Sequence, residues 1–452
     1  ISQGTLVVAS LGSSTGGPSS SLGASGVAMD NTNALHLGNG TTTLGILEYV
    51  GPGETSDRKI RLNTTTANPQ PHADGGGPLI LTNLVNALGL GNKRLDLRGV
   101  SPSVNRIESM LTDNGGTLSI TVDGGTAWVL TNPGNSYTGT TTASAGALGI
   151  GSDTALGTGG LTNSNGNIFA YGGDRSPANV LTISNNATNG WFGEYSLTFT
   201  NVINTVGANN ITTNNSIVQG KMLTFNGVTA NSINSNRVWT FDGPGETQIT
   251  GDFTTTNVTY GIPIVKTGDG TLTLGTNGAT SNWNQNNQNI DLDRGTLKFS
   301  ANEAIPSAAG FGNLLITPEL ATGDLATVDL NGTTHTIRDL PATTDGTTRI
   351  DNTAAGAANL RFGQGDNQVQ VIGSVLNTGA GALSLTKLGS NTATFTGGTY
   401  DHAGATSVTG GTLSFAGDVS ATTSLSATGN SILRIDGGFS GSGGVTSLVV
   451  DG

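Results

Sequence analysis

The chain contains no cysteine, so neither a disulfide nor a thiolate metal site is open to it. Charged residues are 11% of its 452 positions, where a soluble domain usually has about 25%. Acids outnumber bases, the net charge is −12, and no Lys/Arg stripe appears, which argues against nucleic acid as a partner. Aromatics are only 5%, and there is no run of about 18 apolar residues, so nothing is expected to span a membrane as a helix. A signal-peptide pattern and an initiator Met are missing as well. Both ends, "ISQGTLVVA" and "TSLVVDG", read as mid-strand text, which predicts a processed piece or one section of a longer protein. The lack of cysteine leaves the compartment open, because large β proteins outside bacterial cells can manage without disulfides.

What the chain does have is glycine, 71 residues of it, with abundant Thr, Asn and Ser. Apolar residues still reach 34% and fall in alternating clusters, which favours a folded all-β protein with many tight turns over disorder. In "GTLTLG" Leu272 and Leu274 point one way and Thr271 and Thr273 the other, the pattern of a half-buried strand.

Self-comparison finds a repeat. One unit is a Gly followed by an apolar pair spaced by one residue. It occurs with Leu6 and Val8 after Gly4, Leu148 and Ile150 after Gly146, Leu297 and Phe299 after Gly295, and Leu413 and Phe415 after Gly411. A second unit, "TGDGTLTLG" (267–275), "GGTAWVLTN" (124–132) and "GSNTATFTG" (389–397), lies upstream of it. Tyr137 and Tyr400 are aligned as the openings of the segments that join the two, with Gly139 and Gly146 as bends. A third unit places an aromatic before Gly-x-Gly and an acid, in "YVGPGE" (49–54), "FDGPGE" (241–246) and "FGQGD" (362–366). The approximate repeats are 1–142, 143–291, 292–407 and 408–452. Short one-sided strands in irregular repeats predict a solenoid with about 20–25 residues per coil and about 18–22 coils. Its length would be roughly 90–105 Å.

These segments, above all "GDGTLTLG", "NSYTGTTTASAGALGIGSDTALGTGGL" and "LTKLGSNTATFTGG", resemble the autotransporter-associated β-strand repeat. So do "LEYVGPGETSDRKIRLN" (47–63) and "IDGGFSGSGGVTSLVVDG" (435–452). The chain keeps the order of that repeat but blurs its letters: Thr126–Leu130 carries an extra residue, and 282–289 replaces the Tyr-Thr-Gly turn. The resemblance implies a right-handed parallel β-helix from a large secreted bacterial surface protein of the stalk, adhesin or layer kind, and no single activity. No translocator barrel or sorting anchor is visible in the sequence.

Candidate chemical sites are few. His36, His72, His335 and His402 lack metal-like spacing and are expected on exposed turns or strand faces. "GSSTG" (12–16) formally matches a nucleophile elbow at Ser14, but a Ser/Gly-rich loop follows where a helix is needed. "GPGE" reads as a tight turn, with Glu54 and Glu246 facing water. Asp291 and Asp293 share one strand face and, with Asp366 in "FGQGDNQ", are the weak calcium candidates; no other cofactor is expected. Paired acids also serve glycoside cleavage, yet the Asn-Thr-Asp, Asp-Asp and Gly-His-Gly motifs of polygalacturonan hydrolases do not occur. The sequons at Asn63, Asn186, Asn257 and Asn331 are what an Asn/Thr-rich chain produces by chance. The basic stretch 86–114 is expected as strand, coil and strand, with a short end-covering helix as the alternative.

The expected protein is therefore an extracellular, non-enzymatic structural solenoid of a bacterial surface. Its partners would be further copies joined through the end regions near Ile1 and Gly452. Two other readings stay open. An adhesin would show Trp128, Trp191, Trp239 and Trp283 at the surface for glycan stacking. A polysaccharide-cleaving enzyme would show a groove of clustered Asp and Arg.

Overall fold

The computed structural model describes the chain except residues 15–18, 24–33, 41, 65–66, 87–90, 185–186, 208, 232–236, 257–258, 284–287, 308–312, 318–323, 341–346, 366–372, 397, 421, 439–446 and 451–452. Asp366, Asn186, Asn257 and Gly452 thus lie outside the described residues. Among the described residues there is no helix, and so none long and apolar enough to cross a membrane. Strands pair in parallel and stack in about 15 turns, a β-solenoid.

The turns are fewer than the expected count because coils differ in length. Partners in successive coils are 20 residues apart where Asn135 meets Ala155, and 32 apart where Asn331 meets Phe299. The chain forms two compact units, residues 1–205 with 216–223, and 206–215 with 224–452.

In the first unit one sheet stacks Gly4–Val8, Gly45–Tyr49, Gln70–Ala73, Lys93–Gly99, Leu118–Val122, Thr141–Ala143, Leu161–Asn163 and Leu181–Ile183. A second stacks Glu54–Ser56, Leu79–Leu81, Val104–Ile107, Ala127–Leu130, Ala147–Ile150 and Asn167–Ala170. A small third side is Leu35–Gly40, Ile60–Thr64 and Leu84–Asn86. The stretch from 86 contains the strands Lys93–Gly99 and Val104–Ile107, as expected.

In the second unit one sheet holds Trp239–Asp242, Ile264–Lys266, Ile290–Leu292 and Leu314–Ile316. Another runs from Glu246–Ile249 through Thr271–Leu274, Gly295–Phe299, Leu325–Asp329, Thr347–Asp351 and Ser374–Leu376 to Tyr400–Asp401 and Val419–Ser420. Thr334–Ile337, Ala358–Phe362, Leu383–Lys387, Thr406–Val408, Ser424–Ala427 and Ser447–Val450 form a third. Thr392–Phe395, Thr412–Phe415 and Ile432–Ile435 form a fourth.

Period-two alternation drives these strands, because every second side chain must leave water. Leu148, Ile150, Leu272, Leu274, Leu297, Phe299, Leu413 and Phe415 are fully buried, Val8 is buried and Leu6 half-buried. Gly139 and Gly146 sit at bends and Gly146 is buried, while Gly295 and Gly411 have left-handed backbones that suit glycine. The repeat does not mark one side of the solenoid: Ala147–Ile150 and Gly295–Phe299 belong to different sheets. What the repeat specifies is a turn into an inward-facing strand.

Candidate functional site

Two coil corners share one construction. Leu118–Ile150 and Leu383–Phe415 align without a gap, and strand register agrees: Ile120 stands beside Thr141 and Leu385 beside Thr406. In the first corner the Tyr137 hydroxyl meets Thr141 Oγ1 at 2.6 Å, and Gly139 N donates to Leu118 O. In the second, His402 Nε2 meets Thr406 Oγ1 at 2.6 Å, and Gly404 N donates to Leu383 O. The counterpart of Tyr137 is therefore His402, and the alignment with Tyr400 was two residues off. Conserved aromatic identity misled the sequence reading; a ring with a polar atom four residues before Thr is the physical requirement. A Cβ on Gly139 would lie 2.3 Å from Leu118 O and one on Gly404 2.4 Å from Leu383 O, so the close coil approach requires both glycines.

This placement corrects the expectation of exposed histidines. His402 and His335 are buried, and His335 stacks on Phe299 with ring centroids 3.9 Å apart. Its Nδ1 accepts from Ala304 N at 3.3 Å and its Nε2 contacts Thr333 Oγ1 at 2.8 Å. Burial lowers His335 to about 3 and His402 to about 4, so both rings are neutral at physiological pH. His36 and His72 are half-buried.

Acids do more than meet solvent. A recurrent clasp has one carboxylate accept both the N–H and the hydroxyl of a residue on a neighbouring coil. Asp329 holds Thr353 (N 3.1 Å, Oγ1 2.7 Å) and Asp351 holds Thr378 (3.0 and 2.8 Å). Glu303 holds Thr336 (2.7 and 3.1 Å), Asp113 holds Thr138 (3.2 and 2.6 Å), and Asp57 holds Ser14 (2.9 and 3.1 Å). Asp293 accepts from Thr317 Oγ1 at 2.7 Å. These bonds are charge-assisted, and in the five two-point clasps the carboxylate satisfies an amide that the sheet ladder misses, while the Thr317 amide is bonded to Leu292 O. Ser14 is thus a clasp residue whose Oγ donates to Asp57. Glu54, expected to face water, accepts from Leu11 N. The Ser14 amide bond is the main reason Asp57 stays below the usual carboxylate range. Desolvation pushes Asp113 up, but bonds from the Thr138 hydroxyl and from Leu118 and Thr138 amides outweigh it, and the net shift is downward.

Buried ammonium groups close two other corners. Lys387 Nζ donates to carbonyls of Leu388, Gly389 (3.1 Å) and Gly410 (3.4 Å), and Lys266 Nζ to those of Gly268 and Arg294 (3.4 Å). Desolvation lowers each to about 8. Both lysines end a strand just before the "GDG" or "GSN" turn, a recurrence present in the sequence but not used in its reading.

Asp291 and Asp293 do share a strand face. Asp291 is half-buried between Val265 and Leu315 and is pushed up to about 6, first by desolvation and then by Asp293. Among the described residues no three His, Asp or Glu groups converge as a metal site would require. A groove of roughly 380 Å³ is lined by Asp269, Arg294, Gly295, Thr296, Asp324, Leu325 and Thr327. Within it Arg294 holds Asp269 through Nε and Nη2 and lies 3.5 Å from Asp324. All four tryptophans are fully buried: Trp191 packs edge-on against Phe199, and Trp239 and Trp283 flank Phe253.

The chain is thus a repeat protein of the parallel β-solenoid class. No family model, curated protein or solved structure matches it.

Proposed function

We propose that this solenoid is a structural section of an extracellular bacterial surface protein, of the kind its autotransporter-associated repeat resemblance implies, and that sections or copies join end to end into a filament, stalk or layer. The observation that carries the reading is how its polar chemistry is used. Carboxylates hold residues of the next coil, the buried ammonium groups reach carbonyls of their own turn and of the next coil, and the corner rings brace the turn they sit in. End-to-end joining has a simple route. Among the described strands Gly4–Val8 stands last in its sheet and Ile432–Ile435 stands last in its own, each with a backbone edge suited to parallel strand addition. Electron microscopy and sedimentation of the purified chain at neutral pH test the proposal. Filaments, or assembly that grows with concentration, are expected; monodisperse particles at high concentration overturn end-to-end joining.

The Asp269–Arg294–Asp324 groove is the observation that favours a second reading, polysaccharide cleavage. It fits that chemistry poorly, since Arg294 occupies Asp269 and the raised acid, Asp291, is not among the groove residues. Release of reducing ends from acidic polysaccharides, abolished in Asp324→Asn, would establish it. Burial of the tryptophans removes the stacking platform on which the adhesin reading relied.

A further inference from the structure

The first unit carries an ordered outward array of hydroxyls. Strand register places Thr121 beside Thr142, Thr142 beside Thr162 and Thr162 beside Thr182. Two residues beyond each of the last three, just past the strand ends, stand Ser144, Ser164 and Ser184, whose amides continue the ladder to Val122 O, Ala143 O and Asn163 O, so Thr-x-Ser recurs in successive coils. The intervening inward residues, Ala143, Asn163 and Ile183, are fully buried, and alternation then turns the hydroxyls outward, where each residue is half-exposed. Among the described residues none of these hydroxyls is bonded to another protein group.

The array is regular in two directions. Parallel strands set neighbours in a column roughly 4.8 Å apart, and the two-residue step separates the columns by roughly 6.6 Å. The 20-residue step between partners persists from Thr142 to Thr182, with no bulge to shift the register. Charge is sparse along the array: Asp153 is the one charged residue from 124 to 173, and the Asp123–Arg98 ion pair borders the serine column at its Ser144 end. At the edge of the column Asp96, beside Thr121, is paired with Arg94 at 2.7 and 3.0 Å.

A charged surface orients water around each ion, whereas a fixed array of hydroxyls and methyls holds it at the spacing of the array. Ordered waters that bridge such groups bind nearly as well as direct hydrogen bonds. Both spacings are of the size found between oxygens in the lattice planes of ice. We propose that this face binds ice, with the ordered water lattice itself as the ligand. The second unit gives the contrast: its column Thr271, Thr296, Thr327 ends on Arg349, and the next column is Lys298, Asp329, Asp351.

The test is ice affinity of the purified chain: slow growth of ice from dilute solution, with protein measured in ice and liquid. Several-fold enrichment over a control globular protein is expected. Thr162→Lys, which puts a charge into the middle of the array, and Thr162→Val, which removes one hydroxyl at nearly constant shape, should each reduce enrichment without changing the circular dichroism. Thr327→Lys in the second unit should leave it unchanged. Exclusion of the wild-type chain from ice overturns the proposal, as does equal enrichment of Thr162→Lys. Sedimentation with microcrystalline chitin or cellulose but exclusion from ice also overturns it, and would give the face a solid polysaccharide instead.

Discussion

Residues 118–184 of the first unit and 295–378 of the second build the same inward face from opposite outward chemistry. The first advances 20 residues where Asn135 meets Ala155, is nearly uncharged, and ties buried corners with side-chain amides: Asn135 binds Leu111 N and Ala155 O, and Asn179 binds Gly159 O, with Asp113 on Thr138 as a carboxylate clasp beside them. The second advances 24 residues from Asp329 to Thr353 and 27 from Asp351 to Thr378, and adds carboxylate clasps on successive coils to an amide corner at Asn352. It also lays ion pairs along its face, Lys298 with Asp329 and Arg349 with Asp351. The comparison separates two jobs. Stacked Leu, Ile, Val and aromatic side chains supply the burial in both, while the corner bonds decide how each coil is tied to its neighbour and what surface is left over.

The largest test addresses the shared part. Trp128→Ala in the first region and Phe299→Ala in the second should each cost about 3–5 kcal/mol, the usual penalty for emptying an aromatic core position. Denaturant unfolding monitored by segment-resolved hydrogen exchange measures both. A cost below about 1 kcal/mol in either region would mean that its inward face is not the main source of stability there.

A smaller effect separates the corners. Asp351→Asn keeps size but cannot accept from both Thr378 groups, and it leaves Arg349 unpaired; about 1–3 kcal/mol should be lost. Asn135→Ala in the first region orphans Leu111 N and should cost a similar amount. The two differ in salt response. Raising ionic strength should weaken the Asp351 effect more than the Asn135 effect, though modestly because Asp351 is fully buried. Equal salt dependence would remove the distinction between ionic and amide corners.

The corner rings predict near-equivalence. Tyr137→His and His402→Tyr exchange rings that make the same 2.6 Å bond to Thr, and each should cost under about 1.5 kcal/mol if the pocket accepts the volume change. Tyr137→Phe removes only the hydroxyl and should cost about 0.5–1.5 kcal/mol. A Tyr400 variant should not reproduce the effect of changing His402.

These corners also show how far the sequence could be read. Period-two alternation in "GTLTLG" and the Gly-led apolar pairs revealed the inward face, because burial depends on side chains that letters report directly. The clasps were hidden because Asp351 and Thr378 are 27 residues apart and meet only once coil length is known. Coil length depends on loops whose residues follow no period, which is why the turn count was overestimated. His402 was missed because a match of residue type was weighed above a match of spacing. The Thr-x-Ser columns were present as letters, but only strand register shows that they line up.

The smallest effects are titrations, and they differ in sign between the units. In the first unit Asp113 lies below its ordinary value because Thr138 and Leu118 bonds outweigh desolvation. Its stabilisation is present above the unfolded carboxylate value, about 3.9, and is lost as pH falls through the lower folded value. In the second unit Asp291 is raised to about 6 by desolvation and Asp293, so it is protonated and uncostly in mild acid. Its penalty grows as pH rises from about 4 to about 6 and is complete above that. Asp291→Asn should therefore stabilise the second unit at pH 7.5 and have little effect at pH 4. Asp113→Asn should destabilise the first unit at pH 7.5 and lose its effect as pH falls through the lowered folded value of Asp113. Melting temperatures of the variants across that range, with exchange rates assigned to each unit, check both signs. If Asp291→Asn is destabilising at pH 7.5, the Asp291 carboxylate has a compensating partner, and the ionic second region is less strained at neutral pH than its geometry indicates.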